Sequence, residues 1–188
     1  MIQGGYQYRF HSKLNRGFIL GVTPYLNGLV GAVLQEYPRA DPRYSVFVVK
    51  EVADKVDKDH PYQPGVYNLQ LASSDSSAQT YLGFPMNYDN MNRGTVADGN
   101  QLCCIDTLHY ANVATWPAFR MGVGYVDWTY PQHPELQTPS SDGWVKISTI
   151  ASGSVAEVKD GTVLHNQPVN SAGYNGGDLQ QWWAERVG

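Results

Sequence analysis

Apolar and polar residues alternate along short stretches of this chain, and Gly, Pro, Asn and Asp separate the stretches. Period-two alternation in short runs bounded by such breakers predicts β-strands with one buried face. Helical periodicity is scarce. Its best candidate, residues 52–57, is short and charged and precedes Pro61 and Pro64, so it reads as a turn or one helical turn.

The strands recur in three units. Each opens with an alternating strand, at 8–10, 67–71 and 145–147. Each continues to a second apolar strand, at 18–22, 81–84 and 155–158, and closes on an aromatic-bearing strand, at 46–49, 118–121 and 180–183. The first and third units are nearly equal in length. The second is longer, which places an insertion around 91–115, the adjacent Cys103 and Cys104 included. A unit of this kind cannot bury its apolar face alone. Three around a pseudo-threefold axis can close a barrel and share one core. The expectation is therefore all-β: a β-trefoil in which three pseudo-repeats surround a six-stranded barrel. It forms a single domain over 1–188, with repeats at about 5–50, 65–122 and 143–188 and long loops between them. The closing aromatics Phe47, Phe119 and Trp182 are its expected equivalent core residues.

The chain has 188 residues, enough for one domain with a sizeable core and short for two. Charged residues make up only 16%, below the usual quarter, so polarity rests on amides, hydroxyls and thirteen Tyr. Such a surface suits sugar or protein recognition. Net charge is −4 and no basic run occurs, which argues against nucleic acid as a partner. No window approaches a membrane span. Met1 to Gly5 lacks the basic and apolar regions of a secretory signal, so the expected location is cytoplasmic, or secreted without a recognisable signal peptide. A ring between neighbouring cysteines is strained, so Cys103 and Cys104 are expected as free thiols in or near the core.

Catalytic signatures are missing. No two of the five histidines stand at the i, i+4 spacing of a helical zinc pair, and no Cys-x-x-Cys or Gly-x-Ser-x-Gly occurs. The acidic residues are scattered, with no indicated glycosidase pair. The chain is read as non-catalytic, with no metal and no cofactor.

The third unit resembles the ricin-B family of β-trefoil lectins, in particular its fungal-like members. Three stretches carry the likeness: Val145-Lys146-Ile147-Ser148-Thr149-Ile150-Ala151-Ser152-Gly153 as opening strand and Ser-Gly turn, Val155-Ala156-Glu157-Val158-Lys159-Asp160-Gly161 as sugar-site strand, and Gln180-Gln181-Trp182 as the Gln-x-Trp signature. The resemblance implies a sugar site at Glu157 and Asn170 with Tyr174 stacking, Gln180 counted among the ligand-binding residues, and Trp182 filling the core. Glu157 stands where the family usually has Asp, and Ala172 where the stacking aromatic would be. Gly21 and Gly83 take the carboxylate position in the other two units and supply no acceptor. Loop aromatics Tyr25, Tyr88, Tyr110, Trp116, Trp128 and Tyr130 are further stacking candidates.

The implied function is a lectin for terminal sugars such as galactose or N-acetylgalactosamine, with glycans or glycoproteins as partners. Weak single sites would call for several sites or a homodimer. The rival is a protease inhibitor on the same fold, as in mushroom inhibitors, blocking a protease through loops 91–115 and 130–139. A non-catalytic toxin-complex subunit is a third reading.

Overall fold

The computed structural model describes residues 2–23, 29–51, 67–73, 80–84, 86–87, 95–96, 98–106, 134–137, 144–149 and 154–188. The first unit contains β1 (Gln7–Ser12), β2 (Phe18–Val22), β3 (Leu29–Glu36) and β4 (Phe47–Glu51). The second contains β5 (Tyr67–Leu71), β6 (Thr80–Gly83), the short pair β7 (Met86–Asn87) and β8 (Thr95–Val96), β9 (Cys103–Asp106) and β10 (Pro134–Gln137). The third contains β11 (Trp144–Thr149), β12 (Val155–Val158), β13 (Val169–Ala172) and β14 (Trp182–Arg186). Among the described residues the helical segments are single 3-10 turns, such as Pro42–Tyr44 and Asp178–Gln180. The 52–57 stretch lies outside the described residues.

Six strands close a ring. β1 pairs with β4, β4 with β5, β10 with β11, β11 with β14, and β14 with β1, all antiparallel. β10 also lies against β5, which completes the circuit. The hairpins β2–β3, β6–β9 and β12–β13 cap one end. This is the β-trefoil that the three-unit pattern predicts. Its core contains Phe10, Phe47, Leu20, Leu34, Leu69, Leu82, Leu102, Ile147 and Trp182, all essentially without exposure. Phe10 and Phe47 meet at 6.1 Å between ring centroids, and the Trp182 indole N–H donates to the Ala156 carbonyl at 3.2 Å, so the buried ring leaves no polar atom unpaired.

The caps meet across units through the backbone. Ala32 N donates to Leu102 O at 2.7 Å, Leu102 N to Val169 O at 2.9 Å, and Leu34 N to Gln167 O at 2.8 Å. Buried N–H groups require partners, and here each finds one on a neighbouring unit.

Two expectations change in the second unit. The Cys pair belongs to no insertion: β9 pairs with β6 as β3 pairs with β2, so it is the regular third strand of its repeat. Its signal is hidden because Cys reads ambiguously and polar residues 98–101 precede it. The closing strand expected at 118–121 falls outside the described residues, with Phe119. The strand in that place in the ring is Pro134–Gln137, beyond the expected repeat end at 122. Register puts Pro134 opposite Thr149 as Phe47 stands opposite Leu71 and Trp182 opposite Ser12, so Pro134 holds the place of the closing aromatics.

The same register shows why β2 carries a glycine. Gly21, Gly83 and Glu157 are equivalent positions, since Ile19, Tyr81 and Val155 pair alike with the opening strands of their units. A Cβ on Gly21 would lie 2.5 Å from Gln35 Cδ and 2.8 Å from its Cγ. Gln35 is buried, and its amide donates to Val22 O at 2.8 Å. In the first unit, then, the Gln35 side chain fills the space into which a residue at 21 would grow. In the third unit Ala172 holds the Gln35 position and Glu157 the Gly21 position.

Gly21→Ala should destabilise the chain by about 1–3 kcal/mol, because the new methyl displaces a buried, hydrogen-bonded amide. On a Gln35→Ala background the same change should cost much less, and urea unfolding of the four proteins reads the coupling. The thiols give a second expectation. Cys103 and Cys104 are free, and as strand neighbours they point to opposite faces. Burial pushes the Cys103 thiol up to about 12 and raises that of Cys104 well above its ordinary value. Both should resist a thiol reagent at pH 8 in the folded chain and react once it is unfolded in urea. The folded chain keeps these protons where the unfolded chain releases them. The thiols' stabilising contribution is therefore full below the ordinary thiol value of 9.0 and is lost as pH climbs toward about 12.

Candidate functional site

The site assembles on the β12–β13 hairpin of the third unit. Glu157 and Asn170 are directly opposite on the two strands, so their side chains rise from one face. Both are partly buried. Asn170 reaches sideways into the second unit, where its Nδ2 donates to Gly99 O at 2.9 Å. Its Oδ1 is shielded from solvent and has no hydrogen-bond partner among the described residues. An unpaired buried amide oxygen is costly, and a donor brought to it would be favoured.

Gln180 stands at the centre. It is fully buried (0% exposed). Its Nε2 donates to Glu157 Oε2 at 2.6 Å and to Gly173 O at 2.8 Å, and its Oε1 accepts from Asn175 N at 2.8 Å. Both ends of the amide are committed inside the protein. Gln180, expected among the ligand contacts, is buried with both ends of its amide bonded within the protein, so in this structure it positions its neighbours. What it positions is informative. One amide joins the Glu157 carboxyl to both backbone neighbours of Tyr174. The 3-10 turn Asp178–Gln180 and the adjoining Trp182 in the core hold that amide in place.

Tyr174 is 52% exposed, and the Lys146 ammonium lies 4.4 Å from its ring centroid. The ring is thus propped on one side by a cation from β11, and much of it faces solvent. Gly176, at φ 76°, turns the loop after Tyr174, and Gly177 N donates to Asn175 Oδ1 at 2.7 Å. Asp98 of the second unit closes the flank by accepting from Ser154 Oγ at 3.0 Å. Sequence reasoning missed Asp98 because it lies far away in the chain and no local motif marks it. It also read Ala172 only as a lost aromatic, whereas the small side chain leaves room for Glu157.

The hairpin thus offers a carboxyl group with Oε1 unpartnered among the described residues, an amide oxygen without a donor, and an exposed aromatic ring. These groups have the chemistry that suits hydroxyl-bearing ligands, and among the described residues no nucleophile–base pair stands beside them. The first unit brings no such set together, since Gly21 and Gln35 occupy the place. Tyr25, Tyr88, Tyr110, Trp116, Trp128 and Tyr130 lie outside the described residues, as do most of loops 91–115 and 130–139. Among the described residues no helix is long and apolar enough to cross a membrane, and no group of three metal-ligating side chains occurs.

No family model matches the chain, and no curated protein matches it in sequence. Solved structures do match in shape. A designed threefold-symmetric protein, ThreeFoil, superposes with a TM-score of 0.59 at 17% identity, over 95% of this chain and 96% of its own. The ricin B-like lectin of Macrolepiota procera, solved with lactose, gives 0.59 at 12% identity, over 100% of this chain and 99% of its own. An exo-β-1,3-galactanase from Clostridium thermocellum gives 0.62 at 15% identity, and the chain spans 31% of that enzyme. At these identities the likeness establishes the architecture: the chain is a β-trefoil of the shape found in ricin B-like lectins.

Proposed function

We propose that this chain is a carbohydrate-binding protein that takes a terminal sugar such as galactose or N-acetylgalactosamine at the β12–β13 hairpin. One observation carries the reading: the buried Gln180 amide fixes the Glu157 carboxyl group and the loop bearing Tyr174 to each other. A pyranose presents adjacent hydroxyls along an edge and C–H groups on a face. A fixed carboxyl oxygen accepts from the hydroxyls, the Tyr174 ring meets the apolar face, and a side-chain shift on binding brings the Asn170 oxygen, shielded in the free chain, to a further hydroxyl. Holding these groups before the sugar arrives reduces the ordering cost of binding. The ricin B-like lectin with lactose, which shares the architecture, supports the same reading.

Glu157→Gln keeps an oxygen facing Gln180 and should leave the fold intact while weakening galactose binding on the order of tenfold, since hydrogen bonds to a charged acceptor are the stronger ones. A glycan array followed by calorimetry checks it, and undiminished binding in the variant would remove Glu157 from the site. Gln180→Leu should lower stability by about 1–3 kcal/mol, because Asn175 N–H and Gly173 C=O lose their partners. It should also weaken sugar binding although Gln180 touches no sugar. Melting curves and calorimetry on the same sample separate the two effects.

A further inference from the structure

A second cluster lies on the outer face of the barrel, where the first and third units meet. The β1–β14 ladder sets Arg9 opposite Glu185 and His11 opposite Trp183, and the β11–β14 ladder sets Trp144 opposite Trp183. Most polar side chains here are paired. Arg9 Nη1 and His11 Nε2 approach Glu185 Oε2 at 3.6 and 3.0 Å, and Lys13 Nζ approaches Asp178 Oδ1 at 3.2 Å. Arg16 differs. It is exposed, its guanidinium lies 5.0 Å from the Trp144 ring centroid and 4.9 Å from that of Trp183, and no carboxylate pairs with it among the described residues.

The turn that carries Arg16 is fixed from several directions. Lys13 N donates to Gln181 O at 3.0 Å, Gly17 N to Asn15 Oδ1 at 2.8 Å and Phe18 N to Asn15 O at 3.0 Å. His11 Nδ1 meets the Arg16 carbonyl itself at 2.8 Å. The guanidinium is therefore a preorganised cation on a chain of net charge −4. Contact with indole faces leaves the N–H edge of a guanidinium open, and that edge matches a carboxylate with two parallel hydrogen bonds.

We infer that Arg16, flanked by Trp144 and Trp183, is a binding site for the carboxylate of an acidic sugar. Trp144 also carries Lys13 Nζ, 5.5 Å from its ring centroid, and Trp183 meets His11 at 5.3 Å. The half-buried Trp183 decides for a sugar acid over a bare anion, because the part of its indole left open is apolar surface beside the cation where a pyranose ring attached to the carboxylate would lie. The site uses other residues and another chemistry than the Glu157 hairpin, so the two readings stand or fall separately.

Titration of the whole chain with sodium glucuronate, followed by tryptophan fluorescence and calorimetry, tests the site. Glucuronate should bind well above glucose, and saturating galactose should leave its binding in place. Arg16→Gln should weaken it on the order of tenfold. Arg43→Gln, which removes an exposed arginine elsewhere, should not. High salt should weaken it, as befits an exposed ion pair. Glucuronate binding no tighter than glucose, or indifferent to Arg16→Gln, would overturn the site. Acetate or a Glu-rich peptide binding as tightly as glucuronate would overturn its assignment to a sugar acid.

Discussion

Everything in this structure depends on hydrogen bonds that no unit can satisfy by itself. At the cap, Ala32, Leu102 and Val169 are wholly buried, and the backbone groups there find partners only on neighbouring units. A buried amide without a partner costs as much as several apolar contacts return. The three hairpins must therefore meet at one distance and one rotation, which in turn fixes the β12–β13 hairpin. It also brings the loop at residues 98–101 of the second unit against it, as the Gly99 N to Ser171 O bond at 2.7 Å shows. The candidate sugar site is in that sense a product of two units, although its acceptors stand on one.

Pseudo-symmetry supplies three equivalent places, and side-chain volume decides which of them is open. In the first unit a glutamine two positions along the partner strand covers the glycine; in the third the same two places hold alanine and glutamate. The two solutions fill similar space with the bulk on opposite strands. In the first, the amide turns inward and binds the chain's own carbonyl at Val22. In the third, the carboxyl group is steadied through Oε2 by Gln180, and Oε1 has no partner among the described residues.

Much of this was legible in the sequence. The boundaries of β2, β5 and β12 follow from apolar runs between breakers, and Gln-x-Trp marks the last strand because its Trp must fill the barrel. The equivalence of Gly21, Gly83 and Glu157 also follows from counting along those runs. The second unit was less legible for a physical reason. Its closing position is held by Pro134, which carries neither an aromatic ring nor a backbone N–H, so the two features that betray the other closing strands are missing there. Its third strand, β9, carries two cysteines that give no β-branched or aromatic signal. The burial of Gln180 and the approach of Asp98 depend on how loops fold back in space, which local pattern does not encode. The Arg16 cluster was invisible for the same reason: its tryptophans are far apart in the chain and adjacent only across the β11–β14 ladder.

The ring closes through β14 against β1, the last strand of the chain on the first. While the chain is being synthesised, the edge of β1 that faces β14 therefore waits unpaired until the residues of β14 have been made. An open strand edge is a template for pairing with other chains, and contacts between distant residues form slowly. Charged side chains are one general guard of such edges, and β1 carries Arg9 there, opposite Glu185 once the ring is closed.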